Sequence, residues 1–218
     1  MKYFITGTDT GVGKTFVTIL LAKHFTSQGL KTGVIKPIET GIGNNPSPDF
    51  KLIAKAIDDK IKSIYNFKEP LAPYIASSLE NIDIDISKIV KFIHNDILEN
   101  SYQVYLVEGA GGLLVPLTSD KLIIDLIKAL QFEVILVSRS NLGTVNHTLL
   151  SIEALKTRGI KIKEVILNEV VPTSDSEISQ NINMIEKFSG IKVRNIIRHT
   201  NLNIEEILKN KKSRIIWD

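Results

Sequence analysis

Short, unbroken apolar runs alternate along this chain with longer stretches in which apolar residues recur at helical spacing. Phe4-Ile5, Lys31 to Lys36, Tyr102 to Val107, Val134-Ile135-Leu136-Val137 and Val165 to Asn168 read as strands, the unbroken run at 134–137 as one covered on both faces. A strand open to water on one side would alternate apolar and polar positions instead. Helical spacing follows in the stretches ending near Gln28-Gly29, over 49–57, over 82–98, up to Leu130, over 142–158 and over 176–188, with a weaker last strand at 193–197. Asp49 reads as the cap of the second of these helices, and Asp120 as the cap of the one ending at Leu130. Residues 38–48 and 67–78, both rich in proline, read as irregular loops. Strands alternating with helices predict an α/β class: a doubly wound, mainly parallel sheet with helices on both faces. In such sheets ligands gather outside the carboxyl ends of the strands.

Composition narrows the class without changing it. The 218 residues are 43% hydrophobic and 23% charged, the balance of an ordinary globular protein, and are read as one domain over 1–218. A net charge of +3 with scattered lysines predicts no nucleic-acid footprint, and the basic cluster Lys209-Asn210-Lys211-Lys212 reads as a solvated tail. The absence of cysteine removes disulfides, zinc–thiolate sites and a thiol nucleophile together. No apolar run approaches a membrane span and no leader precedes the first strand, so a cytoplasmic location is expected.

The candidate chemistry begins at Gly7-Thr8-Asp9-Thr10-Gly11-Val12-Gly13-Lys14-Thr15, between the first strand and the first helix. A glycine-rich turn opening a helix points main-chain N–H groups at anionic oxygens, and the helix dipole adds to the attraction. In that setting Lys14 reaches the β- and γ-phosphates of a nucleotide and the Thr15 hydroxyl sits on Mg²⁺. The spacing departs from the strict phosphate-loop pattern at one position, where Thr8 stands and the glycine lies one residue earlier.

Lys36, Glu108 and Asn168 fall at the carboxyl ends of other strands, on the same edge as Lys14. Glu108 follows an apolar strand, where nucleotide hydrolases place a carboxylate near Mg²⁺; a strand-end acid can equally be a loop carboxylate. The small residues Gly109, Ala110, Gly111 and Gly112 beside it let main chain lie close to a ligand. Lys36 reads either as a solvated surface lysine or as a second ammonium facing the anionic centre that Lys14 serves. Phosphoryl transfer uses such paired cations. Asp49 reads first as a helix cap and second as a metal carboxylate.

These motifs resemble one family, the dethiobiotin synthetases. The resemblance rests on Gly7 to Thr15, on Lys36-Pro37 with Thr40-Gly41, and on Val107 to Gly112 with Pro116-Leu117. It continues through Glu69-Pro70 with Pro73, Leu142-Gly143 with Asn146-His147, and Asn168, running from the N-terminus to about residue 170. It implies a P-loop NTPase-type fold and a homodimeric, Mg²⁺- and ATP-dependent cyclo-ligase of biotin synthesis acting on 7,8-diaminopelargonic acid and CO₂. One amine takes up CO₂ as a carbamate, ATP phosphorylates the carbamate, and the second amine closes a cyclic urea. By the same resemblance Gly11, Val12, Gly13, Lys14, Thr15 and Phe16 would cradle the phosphates, with Gly109, Ala110 and Gly111 beside the nucleotide. Thr15, Asp49 and Glu108 would hold Mg²⁺, and Lys36 with Lys14 would carry the catalysis. Thr10 and Thr40 would lie beside the diamine, and the Gly111-Gly112 main chain beside the carbamate. Leu142, Gly143 and Asn146 of the partner subunit would hold the substrate's carboxylate, and Asn168 would meet the nucleobase.

The likeness fades after residue 170. Family members often carry a Gly-x-Ile-Pro-type turn after the last strand, lining the base, where this chain has Asn195-Ile196-Ile197-Arg198-His199-Thr200. The expectation is relaxed base selectivity, with GTP accepted beside ATP. Two rivals share the fold. A switch-type ATPase of the division-site or plasmid-positioning kind carries a signature lysine where this chain has Asp9. A cobyrinate-type amidotransferase domain is usually fused to a glutaminase with a catalytic cysteine, and this chain has no cysteine.

Overall fold

The computed structural model describes residues 1–43, 48–57, 61–200 and 206, and for Pro48, Asp49 and Ala56 the backbone alone. The chain runs β1 (Lys2–Gly7), α1 (Lys14–Ser27), β2 (Thr32–Ile35), β3 (Ile38–Thr40), α2 (Pro48–Ile57), β4 (Tyr65–Phe67), α3 (Pro73–Leu79) and α4 (Ile86–Asn100). It continues through β5 (Val104–Gly112), α5 (Ile123–Leu130), β6 (Glu133–Arg139), α6 (Thr144–Thr157), β7 (Ile162–Asn168), α7 (Asp175–Ser189) and β8 (Val193–Ile197). Six strands form one sheet in the order β2-β5-β1-β6-β7-β8. Every pairing in it is parallel. The order reverses around β1, so the turn after β1 opens at a switch point of the sheet.

The continuous apolar runs are explained by two cores, one on each face. Phe4, Tyr105, Val107, Val134 and Leu136 point to one face, where they meet α4, α5, α6 and α7. Tyr3, Ile5, Val104, Leu106, Ile135 and Val137 alternate with them and meet α1 and α2 on the other. Each such side chain taken out of water contributes about 1.5–3 kcal/mol.

Several elements differ from the sequence expectation. The stretch after Pro37 is not all loop: Ile38–Thr40 forms β3, which pairs in parallel with β4 as a separate two-stranded sheet. The expected irregular stretch 67–78 contains α3, with Pro73 in its first turn, where a missing N–H costs nothing. The surface helix begins at Ile86 rather than 82, because the Asp85 carboxylate accepts hydrogen bonds from the Ser87 and Lys88 N–H groups at 2.8 and 3.1 Å and fixes the start there. Asp120 caps no helix. Its carboxylate pairs with the Thr118 hydroxyl, and Asp125 instead accepts from the Leu122 N–H at 2.8 Å to close the start of α5. The cluster Lys209 to Lys212 lies outside the described residues.

Glu108 also sits differently from expectation. β5 does not stop there but continues to Gly112, with a register shift that sets Ile5 opposite Glu108 and Gly7 opposite Gly112. Two glycines permit this course. A Cβ at Gly109 would meet the Phe4 ring at 2.7 Å, and Gly111 has a φ of 71°.

Candidate active site

At the carboxyl edge of the sheet a cleft of about 520 Å³ opens between the turn after β1, the start of β3, the loop before α3 and the end of β5. Thr10, Gly11, Gly13, Lys14, Thr15, Lys36, Thr40 and Glu108 through Gly111 all line it. Residues far apart in sequence thus meet because parallel strands bring their carboxyl ends to one side.

The centre of the cleft is a chain of charged and hydroxyl groups. The Thr15 hydroxyl donates to Glu108 Oε1 at 2.6 Å. Lys36 Nζ lies 3.4 Å from the same oxygen and ion-pairs with Glu39. Lys14 donates to the Asp9 carbonyl at 3.3 Å. Burial lowers the Lys14 pKa below the ordinary lysine value; Glu108 opposes that shift, and the neighbouring Lys36 charge adds to it. Lys14, Lys36 and Glu108 are all buried, Glu108 to 1% exposure. Two buried lysines thus face two buried carboxylates, an arrangement whose desolvation is costly for stability alone.

One atom indicates what fits there. Glu108 Oε2 is buried and has no hydrogen-bond partner among the described residues. With the Thr15 hydroxyl beside it, this is an oxygen donor set suited to a hard divalent cation that takes its other ligands from phosphates and water. The residues present therefore fit Mg²⁺. Asp49 lies in the first turn of α2, and its side chain lies outside the description.

Asn168 holds the phosphate loop. It ends β7, is buried, and its side-chain amide donates to the Val12 carbonyl at 2.9 Å. Gly13 next to it has a φ of 88°, and a Cβ there would fall 2.1 Å from Asn168 Nδ2. Gly13→Ala is therefore expected to cost at least the ~1–2 kcal/mol of a left-handed alanine. It should also break the Asn168 hydrogen bond. Thermal unfolding checks this: the midpoint should fall by several degrees and nucleotide affinity with it, whereas an unchanged midpoint would contradict the packing described.

Three groups in or near the site gave no signal in the sequence. Glu39 is one, on the unexpected strand β3. Arg139 is another: from the end of β6 it donates to the Asp9 carboxylate at 3.3 Å and to the Thr10 carbonyl at 3.2 Å, pinning the tip of the loop. The third is a hydroxyl cluster under the loop, where Ser138 meets Thr144 at 2.9 Å and Thr148 at 2.6 Å. Arg139 makes contacts 129 and 130 positions away, Glu39 sits on a strand that forms by pairing with β4, and the hydroxyls meet across a strand-to-helix turn.

Leu142, Gly143 and Asn146 do not line this cleft. They open α6, with Gly143 at a φ of 91° and Leu142 93% exposed. Gly112 turns toward a second cavity of about 350 Å³ bounded by Thr8, Leu113, Leu114, His147 and Leu150. Phe16 and Val12 pack behind the loop rather than in the opening.

A family profile described as an AAA domain matches residues 1–204. The chain is 39% identical to the ATP-dependent dethiobiotin synthetase BioD of Methanocaldococcus jannaschii, covering 94% of this chain and 99% of that one. Proteins of the same name from Thermodesulfovibrio yellowstonii and Aquifex aeolicus are 43% and 39% identical, over 79% and 88% of this chain and 78% and 86% of theirs. Among solved structures, the MinC:MinD cell division protein complex of Aquifex aeolicus superposes with a TM-score of 0.61 at 14% identity, covering 97% of this chain and 86% of that one. A ParA family ATPase of Chlorobium tepidum superposes with a TM-score of 0.57 at 16% identity, covering 97% and 90%. At such identities the structural likeness establishes the P-loop α/β fold alone, while the sequence likeness over nearly the whole chain does more: the chain belongs to the dethiobiotin synthetase family.

Proposed function

We propose that this chain joins CO₂ to 7,8-diaminopelargonic acid and closes the cyclic urea of dethiobiotin, converting Mg-ATP to ADP and phosphate. The observation that carries the reading is Lys36, buried in the same cleft as Lys14, Thr15 and Glu108 beside a strand end of small residues. A simple nucleotide site needs Lys14 and Thr15; the second buried cation provides for a second anion, the carbamate.

The roles follow from the chemistry. An amine of the substrate takes up CO₂ to give a carbamate, whose oxygen attacks the γ-phosphoryl group. The second amine then attacks the carbonyl of the resulting carbamic–phosphoric anhydride, and phosphate leaves. Lys14 and the N–H groups of residues 11–16 hold the phosphates, and Lys36 meets the charge on the carbamate and the moving phosphoryl group. Thr15 and Glu108 would hold Mg²⁺, which would supply neutralisation of phosphate charge. Thr10 and Thr40 flank the diamine, and the main chain of Gly111 and Gly112 lies beside the carbamate. No protein nucleophile is required, so the protein's contribution is positioning and charge neutralisation.

The working unit in this reading is a homodimer. Exposed Leu114 and Leu150 line the second cavity, and Leu142, just before α6, is exposed as well. Burying that apolar patch against a second copy brings Leu142, Gly143 and Asn146 of the partner subunit to the substrate's carboxylate tail.

Base selectivity is relaxed in this reading. Asn195 is turned inward, donating to the buried Glu164 at 3.1 Å, and the Asn168 amide is committed to Val12. Arg198 is engaged by Asp175 and Glu169, and the Glu169 carboxylate accepts the His199 N–H at 2.9 Å. Among the described residues, Asn168, Asn195 and Arg198 are thus committed to protein partners. At equal concentrations GTP is expected to support turnover within about tenfold of ATP, a difference of about 1.4 kcal/mol or less; a much stronger ATP preference would contradict this.

Incubation with ¹³C-bicarbonate, the diamine and Mg-ATP tests the activity itself. Dethiobiotin carrying the label at its urea carbonyl is the expected product, and nucleotide consumption without that product would refute the reading.

A further inference from the structure

Glu39 is used by none of the steps above. It stands in β3, is 8% exposed, and lines the same cleft as Lys36, Thr40 and Thr10. Its carboxylate ion-pairs with Lys36, and the Lys36 ammonium also lies 3.4 Å from Glu108. Lys36 therefore lies against two buried carboxylates. A buried carboxylate is expensive to desolvate, and an apolar side chain at this position of β3 would be the cheaper choice for stability alone.

The two carboxylates have different prospects once a nucleotide binds. Glu108 faces the Thr15 hydroxyl and belongs to the metal. In the proposed reaction Lys36 would meet the anionic phosphoryl group as well. Glu39 is the carboxylate outside the proposed metal set, in the cleft that Thr10 and Thr40 also line.

The reaction needs a group of this kind. An alkyl amine reacts with CO₂ through its lone pair, as the free base, after losing its first proton to solvent. As the N–C bond forms, nitrogen becomes positively charged and must shed a second proton. We propose that Glu39 faces the reacting amine and takes that proton, an assignment that rests on the dethiobiotin synthetase reading above. The step balances. The nitrogen lone pair becomes the N–C bond, and a C=O π pair moves onto oxygen. The N–H pair stays on nitrogen as the proton passes to the Glu39 carboxylate. Glu39 becomes a neutral acid, and the new negative charge lies on the carbamate oxygens, where Lys36 meets it. Glu39 then returns its proton to solvent. The N-carboxylated ammonium is far more acidic than the amine it came from, so a carboxylate is basic enough to receive its proton.

The test compares wild type, Glu39→Gln and Glu39→Asp in single turnovers with Mg-ATP, carried out in two ways. In one, diamine and CO₂ meet only on the enzyme at the moment of mixing. In the other, the diamine is first equilibrated with concentrated bicarbonate so that carbamate is already present. Glu39→Gln is expected to lose about 10²-fold in the first arm and to recover to within a few-fold of wild type in the second, with Mg-ATP affinity unchanged. Glu39→Asp, which keeps a carboxylate set back by one carbon, should lose less in the first arm and recover likewise. Equal rates for wild type and Glu39→Gln in the first arm would overturn the assignment. So would an equal loss in both arms, which would make Glu39 a support for Lys36 only. A wild-type protein that makes no dethiobiotin in either arm would instead remove the reading on which the assignment rests.

Discussion

Lys14→Met is expected to lower dethiobiotin formation by about 10²–10³-fold, the usual consequence of removing a donor aimed at developing charge. The same change should leave the ligand-free protein as stable as wild type or more so. Lys14 is buried, and burial lowers its pKa from the ordinary lysine value. The unfolded chain thus holds its proton at pH values where the folded protein has begun to release it. Between the lowered and the ordinary lysine pKa, folding stability rises with pH, and Lys14→Met removes that rise. Below that window the buried ammonium is a cost that the variant escapes. Adding Mg-ATP reverses the comparison. Wild type gains about 2.7 kcal/mol at a nucleotide concentration of one hundred times Kd, and a variant that binds nucleotide poorly gains little. Thermal unfolding with and without Mg-ATP reads both effects. A Lys14→Met protein stabilised by Mg-ATP as strongly as wild type would contradict the phosphate role.

Lys36→Met is expected to fail in both activity and stability. Lys36 lies between Glu39 and Glu108, both almost fully buried. Removing one partner of a buried ion pair typically costs 3–5 kcal/mol, because the remaining charge is left in a poorly solvated place. For a domain of this size each kcal/mol shifts the midpoint by roughly 2–4 °C, so a fall of about 10 °C is expected at neutral pH. The double variant Lys36→Met/Glu39→Gln should recover part of that stability, since one of the two stranded charges is gone. It should recover none of the activity, which falls by about 10³-fold when the charge on carbamate and phosphoryl is no longer met. A Lys36→Met protein as stable as wild type would mean that the triad is not the tight cluster described.

The α/β alternation and the phosphate loop were legible because they rest on local signals. A buried parallel strand writes itself as an unbroken apolar run, and Gly-Lys-Thr after such a run can be read without knowing the rest of the fold. Lys36, Glu108 and Asn168 could be brought to one edge from topology alone, since parallel strands share their carboxyl side. What escaped was structure that depends on distant partners. β3 has three residues between Pro37 and a glycine, and it is a strand because Tyr65–Phe67 pairs with it. Glu39 was missed with it, as one acid in an apparent loop. Pro73 read as a breaker, although proline in a first turn starts a helix as readily as it ends one. Asp120 looked like a cap because an acid stood ahead of an apolar stretch, but the hydrogen bond comes from Asp125, three residues into the turn it closes. The bond from Asn168 to Val12 spans 156 positions, and nothing near either residue announces it.

A second cation that serves a carbamate makes nucleotide turnover depend on both the diamine and CO₂. The direct measurement is phosphate release from Mg-ATP with 7,8-diaminopelargonic acid and bicarbonate supplied together, singly and not at all. Release is expected only when both are present. Slow release that ignores both additions would contradict this and place the protein among the switch-type ATPases whose fold it shares.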